Sequence, residues 1–179
     1  MGFIDAEKRK FFNEVREKSG QPIELCYQCQ KCASGCIATG YADFYPNEII
    51  RLVQLGQKER VLNSSSIWIC SSCETCGARC PNGINTAEVM DALKEMAIAA
   101  GMVKEKNINL FHNTFLNSVR SHGRVHETSM MVIYKIKSGD LFSDMDVGLE
   151  MFRKGKMPVL PHRIKARGKI KDIFSKTTH

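Results

Sequence analysis

Eight cysteines stand in two copies of one spacing. Cys26, Cys29, Cys32 and Cys36 lie in CYQCQKCASGC, and Cys70, Cys73, Cys76 and Cys80 in CSSCETCGARCP. Both copies read C-x2-C-x2-C-x3-C, no cysteine is left over, and Pro81 follows the second. This is the thiolate pattern of a chain holding two [4Fe–4S] clusters. A cubane cluster takes four converging thiolates. A turn or helix start carries residues i, i+3 and i+6 round a common centre and aims backbone N–H groups inward, toward cluster sulfur. The fourth cysteine lies beyond the reach of its own loop, and in two-cluster ferredoxins it ligates the other cluster. The expected ligand sets are therefore Cys26, Cys29, Cys32 and Cys80 for one cluster, and Cys36, Cys70, Cys73 and Cys76 for the other. Pro81 fixes φ and turns the chain after the crossing ligand. Gly35 and Gly77 are expected to leave room for backbone to approach the inorganic core.

Two other chemistries compete for these thiols. Structural zinc sites use separated C-x2-C pairs, and a third and fourth cysteine in each motif are surplus to that design. Disulfides fit an even count, but cysteines three apart crowd each other and no secretory signal precedes them. Reduced cysteines without a targeting segment point to the cytoplasm. No apolar run approaches the length of a membrane span.

The net charge of +7 is unevenly spread. Residues 151–179 carry nine Lys/Arg against the single Asp172, while residues 1–150 carry 17 basic and 18 acidic side chains. Each oxidised cluster with its thiolates adds about −2 to the cysteine-bearing part. The chain reads as a mildly acidic domain with a basic tail.

The elements that must position the cysteines are helical. Phe11, Phe12 and Val15 stripe a helix over 5–18, with Gly20 as its stop. The 33 residues between Cys36 and Cys70 hold a helix opened by Pro46-Asn47-Glu48, carrying Ile49, Ile50, Leu52 and Val53, and stopped by Gly56. A short helix over 58–62 follows. Asn85 and Glu88 make a loose capping box for a helix to Ala100, with Val89, Met90, Leu93, Met96 and Ala97 on one side. Phe111, Phe115, Leu116 and Val119 stripe a helix over 108–121. Residues 128–137 suit either a buried helix or a short strand, and 144–154 are weakly helical. Beyond Met157, Pro158, Pro161 and the basic excess indicate an extended tail, with room for a short amphipathic helix over 169–176. The expected fold is all-α. It comprises an N-terminal helix (1–20), an α-helical ferredoxin domain with both motifs (21–150) and a basic docking tail (151–179). Small bacterial ferredoxins, by contrast, are β-rich with short connections.

The stretches CYQCQKCASGC, FYPNEIIRLVQLGQ and WICSSCETCGARCPNGI, then a Met/Ala-rich helix, resemble the C subunits of the soluble CoB–CoM heterodisulfide reductases of methanogenic archaea. Trp68 and HGRVHE (122–127) add to the likeness, which covers roughly residues 20–135. Broader relatives with this helical ferredoxin domain include the iron–sulfur subunits of succinate dehydrogenase, fumarate reductase and glycolate oxidase. The resemblance implies an electron-transfer subunit with no active site of its own. Its partners would be a flavin- and cluster-bearing A subunit, which splits electron pairs, and a catalytic B subunit, which reduces the CoM–CoB heterodisulfide. A hydrogenase or formate dehydrogenase would lie upstream. All eight cysteines match the family's cluster ligands. The CCG-type motif of the B subunit is absent.

Other readings of the motifs are the iron–sulfur subunit of a quinone-linked or sulfur-metabolising oxidoreductase, and a zinc-stabilised nucleic-acid-binding module. Lys31 and Arg79 read first as solvated or docking charges, and second as cations favouring the reduced state of a cluster. His112, His122 and His126 have no metal-site spacing. Met90, Met96, Met130 and Met131 read as core filler, and Trp68 as packing beside the second motif. The tail, with Phe152, Leu160, Ile164, Ile173 and Phe174 among its cations, is expected to dock on an acidic partner rather than on nucleic acid or membrane.

Overall fold

The structure, a computed structural model, describes residues 6–140, 143, 145–156, 164 and 167–177. Among them are ten α-helices and no strand. The chain divides into two compact units, Met1–Glu105 and Lys106–His179. The boundaries expected from sequence lay at 20/21 and 150/151 instead.

The first unit contains both cysteine motifs. Its helices are α1 (Ala6–Ser19), α2 (Pro46–Gln54), α3 (Lys58–Leu62), α4 (Ser66–Ile69), α5 (Thr75–Arg79) and α6 (Thr86–Ala99). Helix α6 is the central post: α1, α3, α4 and α5 all pack on it. Val89, Leu93 and Ala97 recur every four residues along it and are fully buried. That spacing stacks them on one face of a 3.6-residue helix. Asn85 caps the first turn, its Oδ1 accepting the Ala87 N–H at 3.1 Å. Helix α2 starts on Pro46, whose missing N–H is spared at a first helical position. Glu48 accepts the Tyr45 N–H at 2.8 Å. Ile49, Ile50 and Val53 then enter the core with Phe11 and Val15 of α1. Each such aliphatic side chain contributes about 1.5–3 kcal/mol on burial.

Helix α1 does not stand apart as a separate element, because Phe11 and Val15 are its route into the core that α6 organises. The turn after α2 comes so close to α1 that Gly56 tolerates no side chain. Its φ is +67°, and a Cβ there would lie 2.3 Å from Lys8 Cβ.

The second unit holds α7 (Lys106–His122), α8 (Glu127–Ser138), α9 (Met145–Arg153) and α10 (Arg167–Thr177). Helices α8 and α10 both pack on α7. The ambiguous stretch 128–137 is helix α8. His126 fixes its start, Nδ1 accepting the Ser129 N–H at 3.3 Å, while the His126 N–H donates to Ser118 Oγ at 2.9 Å. Phe111 meets Tyr134 edge-on, with ring centroids 5.7 Å apart.

The apolar stripe expected to bury α7 stays partly exposed: Phe111 is 38%, Phe115 39% and Leu116 48% accessible. Thr114 and Ser118 are buried in its place, and Thr114 Oγ1 is satisfied by the Leu110 carbonyl at 2.8 Å. The tail is not extended throughout, since 167–177 form α10. Pro158, Leu160 and Pro161 lie outside the described residues. No described helix is long and apolar enough to cross a membrane.

Candidate iron–sulfur centres

The two cysteine loops repeat each other residue for residue. Cys26 leaves a 3-10 turn (Ile23–Leu25), and Cys70 leaves α4. Cys32 opens a second 3-10 turn (Ala33–Gly35), while its counterpart Cys76 lies in the first turn of α5. Both fourth cysteines then leave in extended backbone, Cys36 at φ −81°, ψ 122° and Cys80 at φ −75°, ψ 120°.

The second cysteine of each loop is flanked on both sides by left-handed residues. Gln28 and Gln30 bracket Cys29 at φ 66° and 64°, and Ser72 and Glu74 bracket Cys73 at φ 51° and 59°. These four are the only described non-glycine residues with positive φ. Each costs about 1–2 kcal/mol relative to ordinary backbone. Alternation into the left-handed region turns successive N–H groups toward one concave side, which suits an anionic guest. Strain repeated at matched positions in two loops marks a shared binding device rather than chance.

The fourth cysteines change sides. One pocket is lined by Cys26, Cys29, Cys32 and Cys80, and another by Cys36, Cys70, Cys73 and Cys76. Asn47, Ile50 and Ile84 wall the first; Phe44, Ala87 and Met90 wall the second. Buried Thr86, the first residue of α6, lines both, so the pockets adjoin. All eight thiols are free of disulfides. Among the described residues no three of His, Cys, Asp and Glu close on a single-ion position. Four thiolates on one zinc ion would stand about 3.8 Å apart, given Zn–S bonds of ~2.3 Å. The donor set and the concave backbone of each pocket fit a four-thiolate cluster.

Reciprocal staples tie the exit of each loop to the entry of the other. Downstream of Cys36, Asp43 Oδ2 accepts the Ser65 N–H at 2.7 Å, and the Phe44 N–H donates to Ser66 Oγ at 2.7 Å. Ser65 and Ser66 lie just before the second motif. Downstream of Cys80, Asn82 Nδ2 donates to the Leu25 carbonyl, and the Asn85 N–H donates to Gln21 Oε1 at 2.8 Å. Gln21 and Leu25 lie just before the first motif. Each fourth cysteine is thus drawn to the entry of the opposite loop.

Each loop is also tied to the helix behind it. Gln54 Nε2 donates to the carbonyls of Ile23 and Cys26, at 2.9 and 3.2 Å. Asn47 Nδ2 donates to Gln28 Oε1 at 3.0 Å, and Gln28 Nε2 approaches Cys26 Sγ at 3.3 Å. At the second loop Lys94 Nζ donates to the Cys70 carbonyl at 3.3 Å, and Ser72 Oγ donates to Asp91 Oδ1 at 3.2 Å. Burial pushes the Cys32 thiol up to about 11, with Cys26 and Cys76 adding to the rise, and raises Cys70 also. A metal guest reverses that bias, because a coordinating thiol ionises outright.

Sequence reasoning gave the room beside Gly35 and Gly77 to an inorganic core. A Cβ on Gly35 would instead strike the Arg79 guanidinium at 2.6 Å, and one on Gly77 would press Asn85 at 3.2 Å. At Gly35 the space goes to packing of the second motif on the first, and at Gly77 to the cap residue of α6. Lys31 and Arg79 are exposed. Trp68 is buried two residues before Cys70, and its indole N–H has no partner among the described residues. Met90, Met96 and Met130 are core residues, whereas Met131 is 39% exposed. The polar ties at Asp43, Asn47, Gln54, Ser65, Ser66, Asp91 and Lys94 were not anticipated. The only hint of them in the sequence is the serine run 64–66, set between buried Val61-Leu62 and Ile67-Trp68.

Residues 24–85 match the 4Fe–4S dicluster domain family. The chain is 28% identical over 102 residues to the C subunit of the H(2):CoB-CoM heterodisulfide,ferredoxin reductase of Methanothermobacter thermautotrophicus, covering 57% of this chain and 54% of that one. It is 33% identical over 92 residues to the C subunit of the ferredoxin:CoB-CoM heterodisulfide reductase of Methanosarcina acetivorans, covering 51% and 37%. With the second iron-sulfur C subunit of the CoB–CoM heterodisulfide reductase of Methanocaldococcus jannaschii it shares 28% over 138 residues, covering 73% and 71%. The chain spans about half the length of most of the curated relatives it matches. The cysteine-bearing segment therefore matches a 4Fe–4S dicluster domain, in a chain similar to C subunits of heterodisulfide reductases.

Proposed function

We propose that the chain holds two [4Fe–4S] clusters, one on Cys26, Cys29, Cys32 and Cys80 and the other on Cys36, Cys70, Cys73 and Cys76. Its role is that of an electron-transfer subunit in a cytoplasmic heterodisulfide reductase complex. It stands between a flavin-containing partner and the partner that reduces the CoM–CoB heterodisulfide, with a hydrogenase or formate dehydrogenase as donor. The observation that carries this reading is the sorting of eight thiols into two adjoining pockets, each completed by the other motif's fourth cysteine. The names of the similar proteins support the choice of complex.

Each bound cluster supplies a one-electron acceptor and donor. The chain's own residues do the rest. The left-handed pairs around Cys29 and Cys73 present backbone N–H groups to the guest. Ile50, Ile84, Phe44 and Met90 exclude water on the inner side. The outer rim is exposed and apolar, with Tyr27 at 61% and Ile37 at 74% accessible, which suits close approach of a redox partner.

Anaerobic isolation with iron and acid-labile sulfide analysis tests the proposal. It requires about eight of each per chain and S = 1/2 signals on reduction. Zinc without sulfide would refute it.

A further inference from the structure

The two cysteine loops are tied to their supporting helices in the same places but with different charge. At the first loop the Cys26 carbonyl takes its hydrogen bond from the Gln54 amide, and Gln28 is held by Asn47. The groups that touch the loop are neutral; the Arg51 guanidinium donates to Gln54 Oε1 at 3.1 Å, but it is exposed and screened by solvent. At the second loop the Cys70 carbonyl takes its hydrogen bond from the Lys94 ammonium, and Ser72 is held by the Asp91 carboxylate. Lys94 and Asp91 also pair at 2.9 Å. The two ties are mechanically equivalent. Each fixes the carbonyl of a first cysteine and the side chain of the left-handed residue two positions on.

Their electrostatics differ. The Lys94 side chain is only 13% exposed, whereas Asp91 is 54% exposed. The ammonium therefore acts on the loop through protein, while the carboxylate that pairs with it is weakened by solvent. Glu74, Lys31 and Arg79, the other charges within the motifs, are exposed and screened in the same way.

We propose that Lys94 is a potential-setting residue for the cluster held by Cys36, Cys70, Cys73 and Cys76, the charged counterpart of neutral Gln54 at the other loop. The inference rests on the two-cluster reading above. Reduction adds one negative charge beside the loop, and a shielded cation favours that state. Removing it shifts the reduced-to-oxidised ratio of that centre by on the order of tenfold, which is ~59 mV for a one-electron couple.

The test is an anaerobic redox titration of the full chain, followed by EPR, for wild type, Lys94→Gln, Lys94→Arg and Gln54→Lys. Lys94→Gln, which keeps a donor for the Cys70 carbonyl, lowers one of the two midpoint potentials and leaves the other in place. Lys94→Arg restores it. Gln54→Lys raises the potential that Lys94→Gln left alone. If Lys94→Gln loses its clusters, the other two variants decide: Arg must leave both steps in place while Gln54→Lys raises one. Unmoved potentials in Lys94→Gln, or the same step moving in Lys94→Gln and Gln54→Lys, overturn the inference. Iron content separates it from the reading beneath. About eight irons per chain uphold two clusters however the potentials fall, and a wild type lacking them removes both claims.

Discussion

Asp43 and Ser65, 22 residues apart, are joined by a 2.7 Å hydrogen bond from the Ser65 N–H to Asp43 Oδ2. With Phe44 and Ser66 they bind the exit of the first motif to the entry of the second. Gln21 and Asn85 make the mirror connection, from the exit of the second motif to the entry of the first. The exit of each loop is therefore held at the entry of the other by backbone and side-chain bonds.

Removing the first staple tests this. The Ser65 N–H, helped by the Ser65 side chain, outweighs the upward push of burial and leaves the Asp43 carboxyl below the usual carboxylate range. A depressed folded-state value means stability present above the unfolded value of about 4 and lost as pH falls through the folded one. Asp43→Ala is expected to cost about 1 kcal/mol at neutral pH. In urea titrations of wild type and Asp43→Ala, that gap should narrow as pH drops below about 4. A gap that stays constant with pH contradicts the assignment.

The left-handed residues give a second prediction. Gln30 and Glu74 adopt positive φ, and their side chains make no hydrogen bond among the described residues. Glycine there removes the steric cost, so Gln30→Gly and Glu74→Gly should each stabilise the cluster-free chain by about 1 kcal/mol. Valine at either position should destabilise it and lower iron retention. Thermal unfolding of the cluster-free forms checks both signs.

We propose that the basic end of the chain docks on an acidic partner. Lys169, Lys171 and Lys176 on α10 are exposed. Reversing all three to glutamate leaves the cysteine loops untouched. It should weaken association with the partner proteins at least tenfold at low salt, with iron content unchanged. Affinity measured against ionic strength is the readout, and the wild-type dependence should be the steeper. Equal affinity and equal salt dependence would exclude the role.

Much of the fold was legible because helices announce themselves by period. Ile49, Ile50 and Val53, and Val89, Leu93 and Ala97, fall on the faces their spacing required. The grouping of thiols expected from the cysteine pattern is also the grouping of the two pocket linings. Residues 128–137 were ambiguous because five consecutive apolar or aromatic residues carry no period; the His126 cap and Gly139 at φ +76° settle them as helix. The stripe on α7 misled, since Thr114 and Ser118 satisfy their hydroxyls locally and can be buried while Phe115 and Leu116 are left partly accessible. The polar ties were illegible for a different reason. Gln54, Asp91 and Lys94 look like ordinary helix-surface residues, and only the folded backbone brings the carbonyls of Cys26 and Cys70 to them.

Paired serine substitutions test the exchange of fourth cysteines most directly. Cys26→Ser with Cys80→Ser removes two thiols from one pocket, whereas Cys70→Ser with Cys80→Ser removes one from each. Iron and sulfide analysis of the two proteins, purified anaerobically, should find one intact cluster of about four irons in the first and loss from both centres in the second. The opposite result, with the Cys70/Cys80 pair retaining a full cluster and the Cys26/Cys80 pair damaging both, would mean that each motif binds its own four cysteines.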